Sequence, residues 1–140
     1  MIRIVLDTNI LVSGVFYGGA PYRILDAWRE GIVQIVVSSE VLEEYRRVGQ
    51  KLAARHPVID FTAMLELLTW KTEMTGSAPI PTDACEDPDD IKFLACALGG
   101  KTKIIVSGDR HLLKASGFRG IQALKPREFV DACLNRKQED

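Results

Sequence analysis

Short runs of apolar residues alternate with longer amphipathic stretches along this chain. The segments Ile2–Leu6, Val33–Val37 and 103–106 are almost continuously apolar and rich in Val and Ile. Such runs are typical of parallel strands that are buried on both faces. Residues 121–124 predict a further strand near the C-terminus.

The stretches between these runs have helical periodicity and helix boundary signals. Gly, Pro and Ser residues mark where most of them begin or end. An alternation of strands and helices predicts an α/β fold, a single α/β/α sandwich with a mainly parallel central sheet. We expect one domain over 1–140, with a frayed tail at 136–140. The predicted helices span about 10–16, 20–29, 40–55, 59–74 and 87–98, with a short helix after Asp109 and another that begins at Pro126.

Composition limits the classes of function. The chain has 140 residues, 46% of them hydrophobic, and a formal net charge of −1. This charge argues against a highly basic nucleic-acid binder but allows a local basic stripe. The three cysteines have no metal-binding spacing, and no apolar stretch approaches the roughly 20 residues of a membrane span. We therefore expect a cytoplasmic protein with reduced thiols.

Two acidic residues follow predicted strands. Asp7 comes directly after the first strand, and Asp109 follows the strand at 103–106 by way of Ser107 and Gly108. Ligands of open parallel sheets bind beyond the carboxyl ends of the strands, so both acids are candidates for a site. Asp109 has an alternative role as the N-cap of the next helix.

Helical phase selects one of two adjacent glutamates in the predicted helix 40–55. At about 100° per residue, Glu44 lies only about 40° beyond Val48, at the edge of the apolar face. Glu43 points almost opposite that face, towards solvent. Glu44 is therefore the candidate for the site, with an ion pair to Arg47 at i+3 as the alternative.

The same reasoning selects Asp90 in the predicted helix 87–98. Asp90 shares its side of the helix with Leu94 and Ala97, which should pack inward. Asp87 is a good N-cap before Pro88, and the position of Asp90 is also one where capping acids occur. We take Asp90 as a candidate metal ligand and Asp87 as an auxiliary one.

Other side chains of the predicted helices have structural interpretations. Asp89, Lys92 and Cys96 form the least apolar side of the helix that carries Asp90. Trp28 and Trp70 fall among apolar helical positions, which predicts that both belong to the core.

Four inward-facing acids would repel one another unless a cation compensated them. Mg²⁺ and Mn²⁺ prefer carboxylate oxygens, and one or two such ions could support phosphodiester hydrolysis. Thr8, Asn9 and Ser107 flank the acids at the strand ends and are candidates to orient them or to contact substrate. Arg47, Lys51 and Arg55 recur every four residues beside Glu44. They are candidate RNA phosphate contacts, or simply a solvated helix face.

Four stretches of the chain resemble the PIN-domain nucleases, in particular the VapC-like toxin components of type II toxin–antitoxin systems. The stretches are IVLDTNILVSG, SSEVLEEYRRV, DPDDIKFLACAL and IIVSGDRHLL, which together span positions 4 to 113. The resemblance implies Mg²⁺- or Mn²⁺-dependent cleavage of RNA, frequent homodimers and a small antitoxin protein as partner. The acids of the family fall on Asp7, Glu44, Asp90 and Asp109, and Asp87 matches an additional acid.

Two other functions remain open from the sequence. One is a catalytically silent RNA-binding or scaffold module that keeps its acids for folding or metal-dependent stability. The other is a small phosphatase with an aspartate nucleophile. Such a phosphatase usually has a second Asp two residues after the nucleophile, whereas position 9 is Asn.

Overall fold

The computed structural model describes residues 1–135, which form a five-stranded parallel sheet flanked by α-helices. The strand order is β3-β2-β1-β4-β5, and every neighbouring pair is parallel. This architecture confirms the predicted α/β/α sandwich. The predicted frayed tail at 136–140 lies outside the described residues. The strands are β1 (Ile2–Leu6), β2 (Val33–Val37), β3 (Glu73–Met74), β4 (Ile104–Val106) and β5 (Gln122–Leu124).

Seven α-helices connect and follow these strands within residues 1–135. A 3₁₀ turn at Pro88–Asp90 precedes the fifth helix, and a π-helical turn at Val130–Leu134 continues the seventh. The helices are α1 (Thr8–Phe16), α2 (Gly19–Arg29), α3 (Ser39–Ala53), α4 (Phe61–Lys71), α5 (Ile91–Gly99), α6 (Arg110–Lys114) and α7 (Pro126–Phe129).

The central strand β1 is covered on both faces. Three consecutive residues, Ile4, Val5 and Leu6, are fully buried. Successive side chains of a strand point to opposite faces, so burial of all three requires helices on each side of the sheet. Leu6 pairs with Val106 of β4, so the two strands end at the same edge.

Helix α3 begins at this edge and is held by a close contact with α4. The Ser38 side chain caps α3 by accepting a hydrogen bond from the Val41 N–H at 3.2 Å. Further along, Gly49 faces the ring of Phe61, and a Cβ atom built at Gly49 would lie 1.8 Å from the ring Cζ. The absence of a side chain at Gly49 therefore sets how closely α3 and α4 approach.

Three sequence predictions about the elements are wrong. The predicted helix 59–74 ends at Lys71, because the chain extends at Thr72 and Glu73–Met74 pairs with the end of β2. The predicted helix 87–98 begins as a 3₁₀ turn, and its α-helical part is Ile91–Gly99. Trp70 is 87% exposed instead of buried, whereas Trp28 does lie in the core.

Within residues 1–135, no helix has the length and apolar character that a bilayer crossing requires.

Candidate functional site

The pairing of β1 with β4 brings the two strand-end acids to one place. Beyond the last pair of strand residues, the Asp7 N–H donates to the Val106 carbonyl at 3.0 Å. Asp7 therefore begins its turn into α1 beside Ser107, where the chain leaves β4. Asp109 follows two residues later, before α6. The juxtaposition predicted for Asp7 and Asp109 is present at the carboxyl edge of the sheet.

Asp7 is a buried carboxylate with few donors. Only 4% of the residue is exposed, and its Oδ2 accepts a hydrogen bond from the Ser107 hydroxyl at 2.6 Å. The Asn9 N–H lies 3.5 Å from Oδ1, while Asn9 itself is exposed. Burial raises the pKa of the Asp7 carboxyl above its usual range, and the bond from Ser107 opposes this shift.

Asp109 and Asp87 each cap a helical turn. The Asp109 Oδ1 accepts a hydrogen bond from the His111 N–H at 2.7 Å at the start of α6. The Asp87 Oδ1 accepts from the Asp89 N–H at 3.0 Å at the start of the 3₁₀ turn. The capping alternative for both residues is therefore correct, but each cap engages only one carboxylate oxygen. The second oxygen of each side chain takes no part in the cap.

Asp90 completes a group of three carboxylates with Asp87 and Asp109, which we call the acidic cluster. One carboxylate oxygen of each residue lies within 4.8 Å of the other two. Asp90 makes no capping hydrogen bond, so the capping alternative does not account for it. Burial, followed by the charges of Asp109, Asp7 and Asp87, raises the pKa of Asp90 to about 7.

Glu44 lies outside the acidic cluster and has its own partners. Its Oε2 accepts a hydrogen bond from the hydroxyl of the buried Thr8, and its Oε1 accepts from the Lys92 ammonium. The Arg47 guanidinium lies 3.8 Å from Oε1, so the predicted i+3 pair is present as well. The Glu44 side chain is 16% exposed, which agrees with a position at the edge of the buried face. Its charge is compensated by cations of the protein itself.

A family model described as the PIN domain matches residues 3–111, most of the chain. The chain belongs to the PIN-domain family. No curated protein matches it. PIN domains are generally metal-dependent nucleases, and the acidic cluster of this PIN domain could bind a metal ion.

The donor set fits a hard divalent cation. The Asp90 Oδ2 is buried and is the one buried side-chain oxygen or nitrogen in residues 1–135 that lacks a hydrogen-bond partner. An unpaired buried carboxylate oxygen is costly unless a cation or donor meets it. The three carboxylates of the acidic cluster supply oxygen ligands alone, the type that Mg²⁺ and Mn²⁺ prefer.

The predicted basic stripe is exposed on α3. Arg47 is 64% exposed despite its contact with Glu44, and Lys51 is exposed further along α3. The predicted helix 40–55 ends at Ala53, so Arg55 is exposed in the turn that follows α3. The neighbouring Arg46 pairs with Glu43 across the solvent face. Both ion pairs on this part of α3, Glu43 with Arg46 and Glu44 with Arg47, therefore have i,i+3 spacing.

Sequence reasoning missed Lys92. The helical pattern groups Lys92 with Asp89 and Cys96 on the least apolar side of the helix, but Cys96 is fully buried and the Lys92 ammonium contacts Glu44. The available signal was its position two residues after Asp90, in a helix whose other members are apolar. An amine in such surroundings needs an anionic partner. Glu44, at the edge of the apolar face of its own predicted helix, was an available anionic partner.

Proposed function

We propose that this PIN domain is a Mg²⁺- or Mn²⁺-dependent endoribonuclease that hydrolyses phosphodiester bonds of single-stranded RNA. The observation that carries the proposal is the partnerless, buried Oδ2 of Asp90 beside Asp87 and Asp109. A scaffold that kept its acids for folding would be expected to pair them with donors. These three acids instead leave oxygens available at the edge of the sheet where ligands bind.

Asp87, Asp90 and Asp109 would hold the ion, with Asp7 beside them and Glu44 at the margin. A bound divalent ion supplies an activated water and neutralises charge on the phosphodiester group. We assign one or two ions to the site, in keeping with the number of carboxylates. The proposed catalytic residues and metal ligands are Asp7, Glu44, Asp90 and Asp109, and its place in the acidic cluster adds Asp87, the auxiliary acid of the sequence analysis, to the ligands.

The surrounding side chains would orient these acids. Ser107 holds one oxygen of Asp7, and Thr8 holds one oxygen of Glu44. The fixed carboxylates need no reorganisation when substrate arrives, which is how preorganised sites lower barriers. Asn9 is exposed at the start of α1, where its amide can meet substrate.

Substrate RNA would approach along α3. Arg47 and Lys51 on this helix and Arg55 in the turn after it are exposed and carry charges opposite to those of phosphates. Phosphate contacts of this kind raise affinity without reading sequence, and they weaken as salt increases. We expect the three residues to set the affinity for RNA but not the position of cleavage.

We also propose a biological context from the family resemblance. In this context the protein acts as a single-domain cytoplasmic toxin, forms homodimers and is inhibited by a small antitoxin. A carboxylate-lined site would attract an arginine from such a partner, because arginine pairs well with carboxylates. A gene for a small DNA-binding protein directly beside this one would support the proposal. Size-exclusion chromatography with light scattering tests the homodimer.

Cleavage of labelled single-stranded RNA tests the function. Wild-type protein should cut RNA with Mn²⁺ or Mg²⁺ and not with EDTA. The Asp7→Asn variant should be inactive, and Asp131→Asn, which changes an exposed acid on the C-terminal helix, should cut normally. RNA binding without cleavage at any metal concentration would favour the scaffold. Hydrolysis limited to small phosphomonoesters would favour the phosphatase.

A further inference from the structure

A groove with a volume of about 460 Å³ lies beside the acidic cluster. It runs between the first turn of α3, the segment 77–80 and the start of α5, at the same edge of the sheet as the acids. Pockets that hold small organic groups have volumes of roughly 300 to 1,000 Å³. The groove is therefore large enough for one nucleoside. Its apolar walls include Pro79, Ile80 and Pro88, and its charged residues are Glu40, Asp89 and Lys92.

Lys92 links this groove to the candidate site. It lines the groove, and its ammonium also binds the Glu44 carboxylate. The ammonium has three N–H donors, of which Glu44 engages one. Its side chain is 21% exposed, so the remaining donors can reach a group at the mouth of the groove. A phosphate there would lie between the acidic cluster and the groove.

The charges of the groove favour a base over a phosphate inside it. Glu40 and Asp89 are exposed carboxylates on its walls, and together they outnumber the single ammonium of Lys92. Two carboxylates repel a phosphate, but they accept hydrogen bonds from the amino group of a neutral base. The proline and isoleucine side chains offer apolar surfaces to the face of a base.

We propose that this groove binds a nucleobase carrying an exocyclic amino group, next to the phosphate that Lys92 contacts. The proposal rests on the proposed function, because the nucleotide would belong to the single-stranded RNA that enters the acidic cluster. Glu40 and Asp89 accept hydrogen bonds from the amino group. Uracil has a carbonyl oxygen where cytosine has the amino group, so its binding to this groove is disfavoured. The groove thereby gives the nuclease a base preference.

Binding of fluorescein-labelled oligocytidine and oligouridine to the Asp7→Asn protein in Mg²⁺ tests this inference without cleavage. Cytosine and uracil have the same size and differ at the amino position. We expect oligocytidine to bind about fivefold more tightly, the effect of one good base contact. The Glu40→Gln/Asp89→Asn variant in the same background should lose this ratio. The Lys92→Met variant should weaken the binding of both RNAs by a similar factor.

A bulky side chain placed in the groove tests whether a base occupies it, without any change to the charged residues of the groove. Ser77 is exposed and lines the groove, so Ser77→Trp should fill it and remove the preference for oligocytidine. Thr62→Trp is the matched control, because Thr62 is exposed on α4 and does not line this groove. It should bind both RNAs as the Asp7→Asn protein does.

The outcomes distinguish this inference from the proposed function. Equal binding of the two RNAs, or a preference that survives both Ser77→Trp and the double variant, overturns the groove assignment even if wild-type protein cleaves RNA. If neither RNA binds, the groove assignment is also overturned, and the groove is left to a different occupant. A preference that the groove variants abolish supports the assignment, even if wild-type protein cleaves no RNA with any metal.

Discussion

The Ser107 hydroxyl donates a hydrogen bond to the Asp7 carboxylate across two neighbouring strands, with 2.6 Å between Oγ and Oδ2. The same Oγ accepts from the Asp109 N–H at 2.9 Å. One fully buried serine therefore connects the two acids that end β1 and β4. It aligns Asp7 and the turn of Asp109 relative to each other before any ligand binds.

Replacing Ser107 with Ala should impair both stability and cleavage. The variant leaves the buried Oδ2 of Asp7 without its donor, which should cost about 1 to 3 kcal/mol of unfolding free energy. We expect RNA cleavage to fall on the order of tenfold, since a positioned ligand is lost. Urea denaturation and single-turnover cleavage measure the two effects.

Ser116→Ala is the control for this prediction. The Ser116 hydroxyl accepts from the Ala123 N–H at 2.9 Å, away from the acids. The control should lose some stability and cleave RNA at the wild-type rate per folded molecule. Equal activity of the two variants would show that Ser107 has no part in positioning Asp7.

Replacing Asp90 with Asn should stabilise the metal-free protein at alkaline pH. The pKa of Asp90 is about 7 in the folded protein and about 4 in the unfolded chain. A raised pKa means that the folded state favours the protonated form. The contribution of Asp90 to stability is therefore greatest below pH 4 and is lost as the pH rises through 7. At pH 8 Asp90 is ionised in the folded protein, and its burial then lowers the free energy of unfolding. The loss is on the order of 1 to 2 kcal/mol after allowance for solvent screening.

Urea denaturation in EDTA from pH 4 to 8 measures this difference. Asp90→Asn should exceed wild type in stability at pH 8 and approach it near pH 4. Addition of Mn²⁺ should reverse the order at pH 8, because only wild type gains the binding free energy. Asp89→Asn, which changes the exposed neighbouring acid, should follow wild type throughout. A pH-independent difference between Asp90→Asn and wild type would contradict the assignment of the raised pKa to Asp90.

The strands and the strand-end acids could be predicted because they depend on local patterns. Continuous apolar runs give the buried parallel strands, and parallel strands that end together bring Asp7 close to Asp109. The α-helical period was enough to place Glu44, and not Glu43, at the edge of the buried face of α3. Asp90 is buried and Asp89 exposed, as the same argument expected, although Asp90 lies in the 3₁₀ turn before α5, where the rotation per residue differs.

Features that depend on contacts distant in sequence could not be predicted. Strand β3 has two residues, both exposed, so it carries no hydrophobic signal. Trp70 has apolar neighbours, yet no element of residues 1–135 covers it. Lys92 and Glu44 are 48 positions apart, and only the packing of α5 against α3 reveals their contact. The acidic cluster likewise promotes Asp87 from an auxiliary residue to a full member.

Replacing Gly49 with Ala should destabilise the protein even though Ala is the better helix former. The helix preference would favour Ala by about 1 kcal/mol. The new Cβ would, however, overlap the Phe61 ring, and overpacking of this kind costs about 1 to 3 kcal/mol. We expect a net loss by thermal and urea denaturation. Gln50→Ala, on the exposed side of the same helix, should cause no such loss. Partial recovery in Gly49→Ala/Phe61→Leu would identify the ring as the cause.

The ion pair of Lys92 with Glu44 should be worth more than an exposed pair on the same helix. Both side chains are largely buried, with 21% and 16% exposed, so water screens their attraction weakly. A double-mutant cycle with Lys92→Met and Glu44→Gln should give a coupling free energy of about 1 to 2 kcal/mol. The control cycle uses Arg46→Met and Glu43→Gln, whose side chains are 48% and 57% exposed. Exposed pairs contribute about 0.2 to 1 kcal/mol, so the control should give the smaller coupling. Equal couplings in urea denaturation would mean that solvent reaches Glu44 freely, and Lys92 would then have no special part in holding it.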